Sequence, residues 1–195
     1  MNRTQEGQAG GFPATAIRQV CTADLAALHD FFAGLSADAR YLRFFAPTTP
    51  GKAMLNLLSG GGGSTSAVLA IRDASIIGHA MAADRSGPCG AQTTDIGVVV
   101  ADAWQHQGVG SALVRALITG AQARGVTSIT MDVQHDNHRV LTMIAHHWPT
   151  VCTSRSRDCD TICVPLPRGP HNRPQAPPAR LGTRQATPMA TAGRV

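Results

Sequence analysis

The sequence predicts a mixed α/β fold, a single domain whose central, mostly antiparallel sheet is flanked by helices. Three observations predict it. Segments of strand and helix periodicity follow one another as β, α, α, β, β, β, α, β, α, β, β. Residues 93–100, 109–124 and 128–133 read as one strand–helix–strand crossover, whereas 65–71 with 75–83, 76–83 with 93–100, and 150–153 with 161–164 read as antiparallel neighbours. A chain of 195 residues is long enough for one ordinary core and too short for two large ones.

Residues 1–14 are polar and Gly-rich and are expected to be a disordered lead. Ala16 to Val20 alternates and suits a first strand. Thr22 is the expected N-cap of the next helix, with Ala23 and Asp24 in its first turn. Leu25, Leu28, Phe31, Phe32 and Leu35 recur at helical spacing, and Gly34 loosens the end. Ser36 caps a second short helix, S-A-D-A-R-Y-L-R-F-F, which Pro47 stops. Its Leu42, Phe44 and Phe45 are expected in the core, with a substrate cleft as the alternative. Arg40 and Arg43 fit a solvated helix face or a surface for an acidic partner equally well. Residues 51–59 add a short helix with Met54, Leu55 and Leu58 on one face, and Gly60 to Gly63 read as a linker or a mobile loop at a substrate mouth.

Thr65–Ile71 and Ser75–Ala83 form a hairpin across Arg72-Asp73-Ala74, and Ser86-Gly87-Pro88 is a turn. The strand from Thr93 to Val100 is expected to pair antiparallel with Ile76–Ala83. The helix from Val109 to Arg124 turns Leu113, Val114, Leu117 and Ile118 inward, and Gly125 suits the position just past its end. Ser128–Val133 alternates as a strand. Asn137–His147 reads as helix with Val140, Leu141 and Ile144 apolar, and Pro149 ends it. Thr150–Thr153 and Thr161–Val164 form a last hairpin around Arg155–Asp160. Seven of the twelve prolines fall in residues 165–195, so residues 166–195 are expected to be disordered.

Charge is uneven. Five arginines and no acid follow Pro165, which leaves twelve charges of each sign in the first 164 residues. A neutral body gives no nucleic-acid footprint. Glu6 is the only Glu, Tyr41 the only Tyr and Lys52 the only Lys, so a carboxylate working within the body must be an Asp. The five cysteines are scattered and form no C-x-x-C, the N-terminus has no apolar signal core, and no run is long enough to span a membrane. A reduced, cytoplasmic protein away from membranes is expected.

The stretch Thr94–Ser111, T-D-I-G-V-V-V-A-D-A-W-Q-H-Q-G-V-G-S, organises the rest. An apolar strand runs into a Gly-bearing loop and then a helix, an arrangement whose converging amides and helix dipole favour an anion. Neither G-x-x-x-x-G-K-[ST] nor G-x-G-x-x-G is present; the pattern is Q-x-x-G-x-G, from Gln105 through Gly108 to Gly110.

That hexapeptide after an apolar strand resembles the acetyl-CoA loop of the GNAT N-acetyltransferases. The element order over roughly residues 15–165 resembles the same fold, and Asn137 stands where the family commonly contacts the cofactor. S-A-D-A-R-Y-L-R-F-F at 36–45, with D-I-G-V-V-V-A-D-A-W-Q, resembles the bacterial protein-lysine acetyltransferase (Pat-like) branch. The resemblance implies the GNAT acyl-CoA N-acyltransferase fold, acetyl-CoA as acetyl donor and no metal. It implies cofactor contacts from Gln105, His106, Gln107, Gly108, Val109, Gly110, Ser111 and Asn137, with the N–H groups of Gln107 to Ser111 on the pyrophosphate. Gln107 replaces the Arg or Lys of many members, which removes part of the electrostatic attraction. The backbone of Val98, Val99 and Val100 is implied to pair with the pantetheine amides and to hold the developing oxyanion.

Asp95 stands where the Pat-like branch usually has Glu and is implied to be the base, directly or through water; an edge carboxylate or turn cap is the alternative. The segment A-H-H-W-P lacks the Tyr that many members supply as general acid, leaving His146, His147, water or no acid at all. The implied acceptor is an amine, a protein lysine ahead of a small amine, and a catalytically silent acyl-CoA-binding module is a third reading. His135, His138, His146 and His147 with Cys152, Cys159 and Cys163 match no zinc spacing, and His135 is expected in a solvent-facing loop. Asp102 is expected to cap the loop instead of acting in catalysis.

Overall fold

The computed structural model describes residues 15–86 and 91–167. The expected disordered lead, Gly87 and Pro88 of the expected turn, Cys89, and the tail from residue 168 onward lie outside the described residues. Strands and helices alternate as β1 (Ala16–Gln19), α1 (Leu25–Gly34), α2 (Ala37–Phe44), α3 (Lys52–Leu58), β2 (Thr65–Arg72), β3 (Ser75–Ser86), β4 (Gln92–Val100), α4 (Val109–Ala123), β5 (Ser128–Gln134), α5 (His138–His147), β6 (Cys152–Arg155) and β7 (Cys159–Pro165). They build a seven-stranded sheet in the order β1-β2-β3-β4-β5-β7-β6, antiparallel throughout except where β4 meets β5. Mixed α/β architecture with a mostly antiparallel sheet is therefore as expected. The last hairpin folds back so that β7, not β6, pairs with β5.

Two cores hold the sheet between helices. The smaller contains Leu28, Phe31, Phe32 and Leu35 of the α1 segment with Ala39, Leu58, Leu69 and Val99. The larger gathers Val109, Leu113, Leu117 and Ala121 of α4 with Ile77, Ala80, Ile96, Ile129, Ile144 and Ile162. Leu42 and Phe45 are 39% and 41% exposed, so they are not core residues as expected; only Phe44 of that trio packs inward, against Phe32. An eight-residue helix can turn one narrow face to the sheet, and here Ala39 and Phe44 occupy it. Leu25, Met54 and Leu57 are exposed in the same way.

Local chemistry sets the ends. α1 starts not from Thr22 but behind a 3-10 turn, Thr22–Asp24, where Asp24 accepts the Cys21 N–H (2.8 Å) and two Arg18 nitrogens (2.6 Å each). The Arg18 bonds first, and then the Cys21 amide, hold the Asp24 carboxyl far below the usual range. Ser36 caps α2 through Ala39 N–H (3.1 Å). Gly125 has φ +84°, and the bonds Val126 N–H to Ala121 O (3.1 Å) and Gly125 N–H to Gln122 O (3.0 Å) complete a Schellman end to α4. Gly60–Gly63 forms a turn tied by Thr65 Oγ1, which bonds both the N–H (3.0 Å) and C=O (2.8 Å) of Gly62. Leu166, expected to begin the disordered tail, is buried in the larger core and donates its N–H to Thr127 O (2.8 Å).

His79 of β3 is fully buried, its ring edge-on to Phe32, with Nε2 donating to Leu58 O (2.8 Å) and Nδ1 unpartnered. A carbonyl only accepts, so the proton sits on Nε2. Burial, opposed by the Leu58 bond and aided by the Arg43 charge, lowers the imidazole pKa from 6.5 to about 4. The unfolded chain therefore takes up this proton first. Its stabilising effect is complete above pH 6.5 and is lost as pH falls from there to about 4, by about 3 kcal/mol in all. Urea titrations across that window should show this slope in the parent protein, and His79→Gln, which keeps a donor for Leu58, should flatten it.

Candidate active site

β4 is paired with β3 along its whole length, from Gln92 to Val100. Its pairing with β5 covers only Thr93–Asp95, after which the two parallel strands part. Ala101 N–H bonds Ile77 O across the β3 side (2.9 Å), so odd-numbered residues here turn their backbone groups to β3 and even-numbered ones away from it. Val98, with both its N–H and C=O, and the Val100 N–H thus face the gap left by β5. Val99 does not: its backbone belongs to the β3 ladder and its side chain enters the smaller core. Of the three valines expected to offer backbone, the geometry provides two.

Beyond Val100 a 3-10 turn, Asp102–Trp104, leads into the loop. Gln105 braces this loop, its Nε2 donating to Val100 O (3.2 Å), and Gln107 Nε2 donates to Ala103 O (3.1 Å). His106 adopts φ +64° and Gly108 φ +79°, two left-handed residues that turn the chain sharply into α4. The first intrahelical bond runs from Ala112 N–H to Gly108 O (3.0 Å), and Gly108 has no side chain to cap. The N–H groups of Val109, Gly110 and Ser111 therefore have no helical partner and lie at the positive end of a fifteen-residue helix. Val109 meanwhile anchors this end in the larger core.

Asn137 is the N-cap of α5 and not its first residue, its Oδ1 accepting Val140 N–H (3.3 Å); its amide NH₂ remains a donor. Arg139, which the sequence reading did not single out, sets Nη1 3.5 Å from Gln105 Oε1 and so brings a cation beside the loop. The only signal for it was its place two residues after Asn137.

Asp95 lies at the other end of the β4 gap, and both of its oxygens are engaged. Arg85 of β3 forms an ion pair with Oδ2, and Thr130 of β5 donates its hydroxyl to Oδ1. Neither partner was apparent from sequence, because both are brought there by sheet register: Ala83 and Thr130 are the residues opposite Asp95. Asp102 accepts from Ser36 Oγ (3.0 Å) and thus fastens the turn to the start of α2, a cap across elements and not within its own loop. Gln134, buried at the end of β5, donates Nε2 to Tyr41 O (2.7 Å) and fastens α2 to β5. His135 does not face open solvent; its Nε2 lies 3.4 Å from Asp160, which Arg155 also binds (3.0 Å). Among the described residues no group of three His, Cys, Asp or Glu side chains is arranged for a metal ion.

A strand edge opened by a departing neighbour, leading to free amides at a helix N-terminus, defines a site for an extended ligand with amides along its arm and a pyrophosphate at its end. Acyl-CoA has that form, and the residues present fit it. The sequence matches the model of the acetyltransferase (GNAT) family over residues 35–147, and the chain belongs to that family of acetyl-CoA-dependent N-acetyltransferases. Its structure is similar to the GNAT domain of S. lividans PAT, with TM-score 0.69 and 20% identity, covering 78% of this chain and 90% of that one. It is also similar to a phosphinothricin acetyltransferase from Sinorhizobium meliloti in complex with AcCoA (TM-score 0.61, 17% identity, 83% and 93% covered). A ribosomal-protein-alanine N-acetyltransferase from Brucella melitensis is a third (TM-score 0.61, 20% identity, 77% and 99% covered). At these identities the likeness is one of fold. No curated protein matches the chain in sequence.

Two loop glycines should respond differently to an added methyl group. Gly108→Ala forces a left-handed alanine and should cost about 1 kcal/mol of unfolding free energy. Gly110→Ala, whose Cβ would meet only Val100 Cγ2 at an ordinary 3.7 Å, should stay within about 0.5 kcal/mol of the parent by the same urea measurement.

Proposed function

We propose that this chain transfers the acetyl group of acetyl-CoA directly to an amine in a ternary complex, and that the amine is a protein lysine, as in the Pat-like branch that residues 36–45 resemble. The observation that carries the transfer is the open edge of β4 ending at the unbonded amides of α4. Val98 and the Val100 N–H extend the sheet with the pantetheine amides, as an added strand would. The N–H groups of Val109, Gly110 and Ser111 hold the pyrophosphate, with Arg139 supplying the charge that Gln107 does not. Asn137 donates from its free NH₂.

Asp95 takes the proton from the acceptor amine. Thr130 and Arg85 orient the carboxylate, and a water on its remaining lone pairs relays the proton across the methylene by which Asp falls short of Glu. The exposed side chains of Tyr41 and Leu42 on α2 and of Phe45 just past its end, with Met54 and Leu57 on α3, supply a surface suited to a polypeptide. One observation favours the second reading, a silent acyl-CoA-binding module: both oxygens of Asp95 already have protein partners.

Incubation with labelled acetyl-CoA and lysine-bearing protein, followed by release of free CoA thiol, separates the two. Asp95→Asn should lower turnover by about 100-fold or more while acetyl-CoA still binds; unchanged turnover would remove Asp95 from the chemistry. Arg139→Ala should weaken acetyl-CoA binding by about 3- to 10-fold at low ionic strength and by less in high salt, read by calorimetry.

A further inference from the structure

Arg43 is a half-buried charge that acetyl transfer, as described above, leaves without a task. From α2 it lays its guanidinium against Gly97 of β4, where a Cβ built on the glycine would fall 2.5 Å from Cζ and 2.6 and 2.7 Å from the two Nη atoms. The missing side chain is what admits the group. Nε is buried with no hydrogen-bond partner, and no carboxylate among the described residues lies within ion-pairing distance of Arg43. Desolvation, with nothing anionic to oppose it, brings the guanidinium pKa down to about 10. Its stacking on Phe44, with Cζ 5.0 Å from the ring centroid, offsets only part of that loss. A guanidinium partly withdrawn from water without a counter-ion is an arrangement that an incoming anion, reaching the Nη atoms that are not buried with Nε, would relieve.

Its position says which anion. Alternate residues of a strand share a face, so Asp95, Gly97 and Val99 all face α2 and the smaller core. Arg43 therefore lies on the face of Asp95, two residues or about 7 Å further along the strand. The backbone groups that open onto the β4 gap lie in the plane of the sheet, and the loop amides lie past the end of the strand. An acceptor that gives its proton to Asp95 comes within reach of Arg43; the phosphates and the in-plane thioester do not.

We propose that Arg43 recognises a carboxylate carried by the acceptor a few bonds from the reacting amine, so that the preferred acceptors are anionic amines, in a protein a lysine beside an Asp or Glu. Arg43 is in this sense a specificity residue and not a catalytic one. The inference rests on amine acetylation at Asp95.

The test uses pairs of acceptors that differ by one carboxylate: the blocked tripeptides acetyl-Asp-Lys-Ala-amide and acetyl-Asn-Lys-Ala-amide, and lysine against cadaverine. The parent protein should favour the carboxylate member of a pair by roughly 10- to 100-fold in kcat/KM, the worth of one charge-assisted hydrogen bond. A preference confined to the tripeptides, or to lysine over cadaverine, names polypeptide or free amino acid as the source of that carboxylate. Arg43→Gln should collapse the ratio towards one, and Arg43→Lys should keep part of it. Gly97→Ala, which expels the guanidinium while leaving Arg43 in the chain, should collapse it as well, and serves where Arg43→Gln does not fold. Equal turnover of both members by the parent, or a loss in the variants that leaves the ratio intact, overturns the role of Arg43 while amine acetylation stands. Acetyl-CoA binding without release of CoA thiol on the four probes or on lysine-bearing protein overturns both.

Discussion

The site depends on a parting of strands. β4 and β5 are held parallel for three residue pairs and then diverge, although β4 continues to Val100 and β5 to Gln134. Each strand keeps its other neighbour, β3 for β4 and β7 for β5, so the sheet is not weakened on either side of the gap. What the gap leaves is a row of amide and carbonyl groups in an otherwise complete sheet. Such groups need partners, and a ligand that itself carries amides is the natural one. The loop after β4 and the amides of α4 extend the same path from hydrogen-bonding edge to positive helix end. On the proposed reading cofactor binding rests mainly on backbone, with Arg139 supplying the charge that Gln107 does not.

Much of this was legible from residue order. Q-x-x-G-x-G marked the loop, Gly125 the end of α4, and the single crossover the one parallel contact, because each is encoded by neighbours in sequence. The divergence of β4 from β5 was not, since strand periodicity is the same on both sides of Asp95 and only pairing distinguishes them. For the same reason Val99 could not be separated from Val98 and Val100. Arg85 and Thr130 escaped notice because they reach Asp95 through register across three strands. Thr22 was the better cap by residue type, but Asp24 has Arg18 to hold it, and that ion pair between β1 and the start of α1 depends on tertiary contact. Leu42 and Phe45 were placed inside because apolar residues usually are, yet a short helix has too narrow a buried face for all of them.

The proposed catalysis stands on different ground from binding. Asp95 is anchored by one cation and one hydroxyl drawn from the strands on either side of its own, so its carboxylate is oriented more than it is free. An oriented carboxylate with both oxygens partnered acts best on a proton delivered to it, through a positioned water, and less well on one it must reach for. α2 closes the same region from above, tied by Ser36 to the turn before the cofactor loop and by Tyr41 to β5. β4 and the face proposed for the acceptor are therefore tied together through α2.

Gly97 has a meaning beyond the room it gives. Any larger residue there collides with the guanidinium and must displace it, while losing the guanidinium alone leaves Gly97 without the group that covers it. The two positions form one steric unit, so substitutions at 43 and 97 should be strongly non-additive. If Arg43 recognises the acceptor as proposed, a change at either position alters the same contact, so an evolutionary path that alters acceptor choice can run through 43 or through 97.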